Sequence, residues 1–424
     1  MNLSSNEKRT FSLHLTYSLL NGVILGVLAL NEFVFIKSLH GSNFQLGFLF
    51  QFSVVVFAFL FILNEFLKRI TNKKKLLTVV GIITHLPMAL LVFFPHATPA
   101  PIYNYFFMAI FLIYFMGWPV TLPLINLFLK NSYSHAHFST LFSYATSVSK
   151  VTMLVVTFGY GLLLDLDNYV FTWIFPWVSL LGIGGIYLLT RIEYRQPPSS
   201  AEILRHGVMA SIRQSIQNMM DILKGNTAYR HFEIGFMLYG VAFMISITVI
   251  TIFFNDSLHL NYASVAFYKN GYNVVAILLL PLCGRLLGKI DPRIFAGFTY
   301  LAMFFYIVSV ALTQFLPLNF EIWGIQVYYL LLPYMVFNGM FVAGMALLWT
   351  IGSAYFCNDE DTAEYQSLHL SLVGVRALFA PLAGVWLYEM IGFAGTFSIA
   401  AGLLVLAMGV MIWSYKKKGT GNVS

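Results

Sequence analysis

The sequence predicts an all-α polytopic membrane protein with twelve transmembrane helices, and three observations favour this fold class. Of the 424 residues, 59% are hydrophobic and only 10% are charged, and the mean hydropathy is +0.77; soluble domains carry about 25% charged residues. The apolar residues form runs of roughly 20, the length that a helix needs to cross a bilayer. The basic residues cluster between these runs. A soluble enzyme, a secreted binding module and a nucleic-acid-binding protein are therefore poor interpretations.

The predicted spans fall into two sets of six. They cover residues 11–37, 44–66, 76–95, 104–129, 138–164, 169–190, 231–255, 263–287, 294–316, 325–356, 365–389 and 393–415. Most loops between them are short, and the exception is the stretch from Arg191 to Arg230. We therefore predict an N-terminal six-helix bundle (1–190), a cytosolic linker (191–230) and a C-terminal six-helix bundle (231–424).

Lysine and arginine orient the spans. Twenty of the 24 basic residues lie in segments on the same side as both termini, and basic loops are retained on the cytosolic side. We predict a multi-pass protein of the bacterial cytoplasmic (inner) membrane with both termini in the cytosol and no removable signal peptide. Within the linker, residues 201–224 carry apolar side chains every three or four positions, which predicts an amphipathic helix on the inner membrane surface.

Two cytosolic loops repeat a basic turn after the second span of each half. One contains Lys68 and Arg69, and the other reads Gly284-Arg-Leu-Leu-Gly-Lys-Ile-Asp-Pro-Arg293. With the six-plus-six plan, these loops resemble the major facilitator superfamily (MFS) over nearly the whole chain, although no subfamily is assigned. The first copy departs from the family pattern, since Lys68 stands where the family usually has aspartate.

The resemblance implies two pseudo-symmetric bundles that alternate around a central cavity. It also implies a conformational role for the two loops. The loop residues concerned are Lys68, Arg69, Gly284, Gly288, Asp291 and Arg293.

Ionisable side chains inside the spans mark the candidate site, because burying a charge in a bilayer is costly. Lys150 and Arg376 lie near the middle of spans 5 and 11. Gln366 and His369 share a helical face with Arg376. One hypothesis is that the two cations, one from each half, bind an anionic group of a substrate. The alternative is a structural role, as an ion pair with Glu32 or as a cap for the carbonyls of a broken helix.

The other candidates also have two interpretations. Glu32 and Lys269 both lie about 10 Å towards the outer side of their spans. Glu32 is either a proton-coupling carboxylate or the partner of Lys269 in a salt bridge that gates the outer mouth. His369 either titrates or serves as a hydrogen-bonded packing residue. Trp349, in span 10, is a candidate lining residue of the substrate path.

We therefore predict a secondary active transporter that moves a small anionic or zwitterionic organic solute by alternating access. The predicted substrate-binding residues are Lys150, Arg376, His369, Gln366 and Trp349, and the predicted coupling or gating residues are Glu32 and Lys269. No phosphate-binding glycine loop or metal-ligand spacing is present in the sequence, so we expect no enzyme activity, cofactor or metal.

The expected partners are the lipid bilayer, a small-molecule substrate and either a proton or a sodium ion as coupling ion. We expect a monomer and no nucleic acid. Two alternatives stay open. One is a lipophilic drug exporter that works as a proton antiporter, and the other is a non-transporting or lipid-translocating protein with the same fold.

Overall fold

The computed structural model describes residues 3–59, 70–96, 100–193, 208–357 and 362–418. Among these residues, ten helices are long and apolar enough to cross a membrane. The last of them covers 54 residues and is interrupted at Gly392 (φ 70°, ψ −174°), so it accounts for predicted spans 11 and 12. A shorter apolar helix, Asn43–Ala58, is the described part of span 2. The predicted all-α polytopic fold class is confirmed.

The helices and strands follow one another along the chain with short connections. The first nine helices are α1 (Ser5–Leu28), α2 (Asn31–Lys37), α3 (Asn43–Val55), α4 (Lys73–His85), α5 (Ile102–Met116), α6 (Trp118–Ser132), α7 (His135–Leu166), α8 (Phe171–Thr190) and α9 (Val208–Gly225). The remaining elements are α10 (Thr227–Ile252), α11 (Tyr262–Leu287), α12 (Pro292–Phe315), β1 (Asn319–Ile322), β2 (Ile325–Tyr328), α13 (Leu331–Ile351), α14 (Thr362–Ala377) and α15 (Ala380–Lys418).

The chain divides into two compact units, residues 1–41 with 62–211 and residues 42–61 with 212–424. Helix α3 therefore packs with the second unit, next to α14 and α15. Gly374 of α14 makes this close approach possible, because a Cβ atom there would lie 2.3 Å from the backbone nitrogen of Ala58. The domain boundaries at 190 and 231 remain a prediction.

In the first unit, α1 and α7 pack closely through two glycines one helical turn apart. A Cβ atom on Gly22 would lie 2.5 Å from the carbonyl oxygen of Ser149, and one on Gly26 would lie 2.7 Å from Cβ of Val156. Small residues at such a contact let two membrane helices approach closely. The contact fixes the rotation of α7 about its axis, and Lys150 lies on the exposed face of that helix.

The predicted start of span 10 is wrong. Residues 325–328 form β2 instead of the first turn of a helix, and β2 pairs antiparallel with β1. The turn residues Trp323 and Gly324 have φ values of 51° and 77°, as type I′ hairpin turns require. Alternating side chains on both sides of a Trp-Gly turn therefore override the apolar composition, and α13 begins at Leu331.

The predicted span 11 is not one continuous helix. It breaks at Leu378 and Phe379, between α14 and α15. Pro381 has no N–H to donate to the preceding turn, and proline is tolerated in the first turn of a new helix. Gln51 of α3 donates a hydrogen bond from Nε2 to the carbonyl of Leu378 at 3.0 Å. Arg376 consequently lies in the last turn of α14, and its predicted position near the middle of a helix is corrected.

Candidate functional site

The second unit buries a charged side chain between α10 and α14. Arg376 is only 1% exposed, and its Nη1 donates a hydrogen bond to the carbonyl of Phe236 at 2.7 Å. Its guanidinium carbon lies 5.1 Å from the ring centroids of both Phe236 and Tyr239. Nε has no hydrogen-bond partner, and no acidic side chain forms an ion pair with the guanidinium, in the part of the chain that the structure describes.

Gly240 supplies the space for this guanidinium. A Cβ atom on Gly240 would lie 1.7 Å from Nη1 and 1.9 Å from Cζ of Arg376. The guanidinium therefore rests directly on the backbone of α10, where any side chain would displace it. Its position at the end of α14 also places the positive charge near that helix's C-terminus, where the backbone dipoles favour a cation.

His369 and Glu233 form a second buried contact in the same seam. The His369 Nδ1 and Glu233 Oε1 atoms are 2.8 Å apart, and the side chains are 0% and 3% exposed. The other polar atom of each group, Nε2 and Oε2, makes no hydrogen bond with any described residue. Phe236 lies edge-to-face against the imidazole, with ring centroids 4.4 Å apart. One aromatic ring thus contacts both His369 and Arg376.

Glu233 is absent from the predicted site. It lies inside predicted span 7 (231–255), close to its cytosolic end, and it is 2% exposed in the structure. An acid at that position was a usable signal, because carboxylates inside membrane spans are rare and have partners. The inventory of buried charges therefore gains an acid next to His369.

The predicted stripe on span 11 divides between two neighbouring helices. His369 and Arg376 turn towards α10. Gln366 instead contacts the end of α13, where its Nε2 donates to the carbonyl of Trp349 at 2.9 Å and its Oε1 accepts from Ser353 at 2.5 Å. The structure thus brings Gln366 together with Trp349, and His369 together with Glu233. It brings neither Gln366 nor Trp349 into hydrogen-bond contact with Arg376.

Lys150 stands in a different environment. It lies at the middle of α7, a helix of 32 residues, and it is exposed together with Ser143 and Ser147 on the same face. Its ammonium group forms no hydrogen bond or ion pair with any residue that the structure describes. A positive charge at this depth without a counter-ion is unfavourable in lipid and favours water or an anionic ligand.

Glu32 and Lys269 are both half-buried. Glu32 begins the short helix α2 in the first unit, and Lys269 lies in α11 in the second unit. Each takes part in a polar or electrostatic interaction. Their mutual pairing remains a prediction.

The loop after α11 ties the second unit together. Asp291 caps the N-terminus of α12 and binds the Arg293 guanidinium with both carboxylate oxygens, at 2.9 and 2.8 Å. Nη1 of Arg293 donates to the carbonyl of Ser414 near the end of α15 at 2.8 Å. Gly284 and Gly288 have ordinary helical backbone angles or open surroundings. Lys68 and Arg69 lie outside the described residues.

Comparison with known proteins identifies the fold. No family model and no curated protein matches the sequence. Among solved structures, the chain is similar to the nucleoside transporter NupG (TM-score 0.67, 15% identity, covering 97% of this chain and 100% of that one). It is also similar to the xylose transporter XylE from E. coli (0.60, 15%, 97% and 98%). A POT family transporter in complex with a thioalcohol-conjugated peptide is a third match (0.70, 12%, 97% and 97%).

These proteins are MFS-type transporters, and the chain has their fold over nearly its entire length. It is a multi-pass membrane protein. The expected MFS architecture is confirmed, and no subfamily follows from it.

Proposed function

We propose that the chain is a secondary active transporter that moves a small anionic or zwitterionic organic solute by alternating access. The observation that carries this proposal is the fold, which matches proteins named as transporters of nucleosides, xylose and peptides over 97% of the chain. The bacterial cytoplasmic membrane, with both termini in the cytosol, is the location that the distribution of basic residues favours.

Lys150 is the residue to which we assign recognition of the solute's anionic group. It is exposed in the middle of an apolar helix and makes no ion pair with any described residue. A lysine ammonium acts as a point charge that accepts carboxylate, phosphate or sulfonate equally well. Ser143 and Ser147, on the same exposed face, supply hydroxyl groups for further hydrogen bonds to such a solute.

Arg376 is the second cation that we assign to solute recognition. Because it is 1% exposed, it acts in this conformation through its electric field, and direct contact with a solute requires α14 to move away from α10. Its lack of an acidic ion-pair partner among the described residues supports this assignment, since a buried charge is stabilised by an anion nearby.

Replacement of Lys150 by alanine tests the assignment. A solute is first found from the rise in melting temperature of the purified protein across a panel of carboxylates, phosphates and zwitterions, and its uptake is then measured in proteoliposomes. We expect Lys150→Ala to weaken apparent affinity by about 10- to 100-fold, because a hydrogen bond to a charged group contributes about 1.5–3 kcal/mol.

Lys130→Ala is the matched control, because Lys130 is also exposed but lies in the last turn of α6. Unchanged affinity in Lys150→Ala would show that Lys150 does not bind the solute. A panel in which no compound raises the melting temperature or is taken up would contradict the transport proposal itself.

A second candidate function is export of lipophilic cations in exchange for protons. It is favoured by Glu233, which adds a buried acid to the second unit, and by the buried rings of Tyr239, Tyr300 and Phe341 nearby. The same panel, extended to lipophilic cations such as dyes, separates the two functions. Selective binding of the cations would replace the leading proposal.

A further inference from the structure

We propose that Glu233 and His369 form one buried proton-binding site, and that its proton sets the charge of a cluster completed by Arg376. Proton binding is a property of the side chains alone. The coupling of that proton to a solute rests on the proposed transport function. Neither residue belongs to the predicted coupling pair of Glu32 and Lys269.

The geometry of the pair supports proton binding. The carboxylate and imidazole are 2.8 Å apart and almost completely shielded from water. Glu233 Oε2 and His369 Nε2 have no hydrogen-bond partner among the described residues, so each group keeps an atom on which a proton can reside or through which it can leave. A purely structural pair at this depth normally uses its remaining polar atoms in hydrogen bonds.

The surroundings leave the charge of the cluster to these two residues. The titratable and charged groups that contact or face the pair are Tyr229 and Tyr239 of α10, Tyr300 of α12, Cys357 after α13, and Tyr365 and Arg376 of α14. Tyrosine and cysteine are neutral near neutral pH, and arginine stays charged. His231, also on α10, bonds instead to the Ser414 hydroxyl of α15 at 3.1 Å. Arg376 is therefore the permanent charge of this set.

The charge balance follows directly. With a carboxylate, a neutral imidazole and a guanidinium, the cluster has no net charge. One added proton, shared between Glu233 and His369, gives it a net positive charge and leaves every other bond unchanged. Phe236 links the two parts, because its ring contacts His369 and its carbonyl accepts the Arg376 hydrogen bond. A protonated cluster attracts an anionic solute, and loss of the proton weakens that attraction.

The direct test is proton uptake by the purified full-length protein without any solute. Infrared difference spectra are recorded between about pH 8 and pH 5, the range in which a histidine pair titrates. We expect either a protonated-carboxyl band or imidazolium bands in the wild type, and their loss in the double variant Glu233→Gln/His369→Gln. The control Glu389→Gln/His259→Gln removes an exposed carboxylate and an exposed imidazole of the same unit and should keep these bands.

Identical spectra for the wild type and the double variant would overturn the proposal. If the double variant fails to fold, the wild-type spectrum decides, since the absence of any buried carboxyl or imidazole signal contradicts proton binding. In a second measurement, the affinity for the solute found by melting should rise about tenfold from pH 8 to pH 5 in the wild type, as one charge is gained, and stay constant in His369→Gln. Proton uptake without any solute binding would refute the transport proposal and leave the proton site standing.

Discussion

Arg376 shows how a single charge is accommodated inside an apolar helical bundle. It has a backbone carbonyl, two aromatic rings and the bare backbone at Gly240 as its immediate surroundings. The rings stabilise a guanidinium by cation–π attraction, which contributes about 2 kcal/mol when desolvated. This arrangement keeps a charge in the seam between α10 and α14, where an apolar side chain would otherwise pack.

Substitution of Gly240 by alanine should damage this arrangement. The new Cβ atom would overlap the guanidinium of Arg376, and overpacking of this kind costs about 1–3 kcal/mol. We expect a lower melting temperature for Gly240→Ala in detergent. Gly402→Ala is the control, because no atom lies within 4 Å of a Cβ there, and alanine should leave stability unchanged or raise it. Equal melting temperatures for the two variants would contradict the packing described.

At the residue level, the sequence predicts the cations better than their surroundings. Lys150 and Arg376 stand out because a charge in a run of apolar residues is conspicuous. Glu233 is missed, since it lies close to the polar end of its span and next to His231 and Arg230. Its partner His369 is 136 residues away, and helical periodicity within one span carries no information about which neighbouring helix a face contacts.

Among the elements, the β1–β2 hairpin is the one that the helical pattern conceals. It is fastened to the first turn of α11, where the Asn261 side chain donates to the carbonyl of Gly324 at 2.7 Å and Ser264 accepts from the Gln326 backbone at 2.8 Å. The tip residue Trp323 is 95% exposed and has positive φ. The conformation of the turn is therefore set by its neighbours and not by packing of the indole.

Replacement of Trp323 by asparagine should stabilise the hairpin. Left-handed backbone costs an ordinary residue about 1–2 kcal/mol, and asparagine adopts it readily. With Gly324, the variant Trp323→Asn has the Asn-Gly pair preferred in type I′ turns. We expect a higher melting temperature, measured in detergent and in liposomes. A decrease confined to liposomes would show instead that the indole is held by the membrane interface.

Span 11 illustrates the limit of reading element bounds from hydropathy. Its apolar run continues through residues 377–380, so no polar residue marks the end of α14. Pro381 is the local signal for the break, and Gln51, 327 positions away, supplies a hydrogen bond to the Leu378 carbonyl. A contact of that kind depends on tertiary structure and cannot be deduced from one segment.

For the whole molecule, the scarcity of charge predicts the fold class, and the loop charges predict the orientation. Hydropathy identifies helices because every backbone polar group must be satisfied inside a bilayer. It does not predict that residues 42–61 pack with the second unit, since that assignment depends on close contacts such as Gly374 with Ala58. The number of spans is thus a local property, whereas the division into units is not.

Distances between spin labels on the two units test alternating access most directly. One labelled pair, Asn168 and Asn319, uses exposed residues on the predicted outer side, and the other, Lys75 and Lys289, uses exposed residues on the predicted cytosolic side. When the solute found by melting is added at saturation to the protein in liposomes, we predict that the two distances change in opposite directions. Two distances that stay constant, or that change in the same direction, would contradict transport by alternating access.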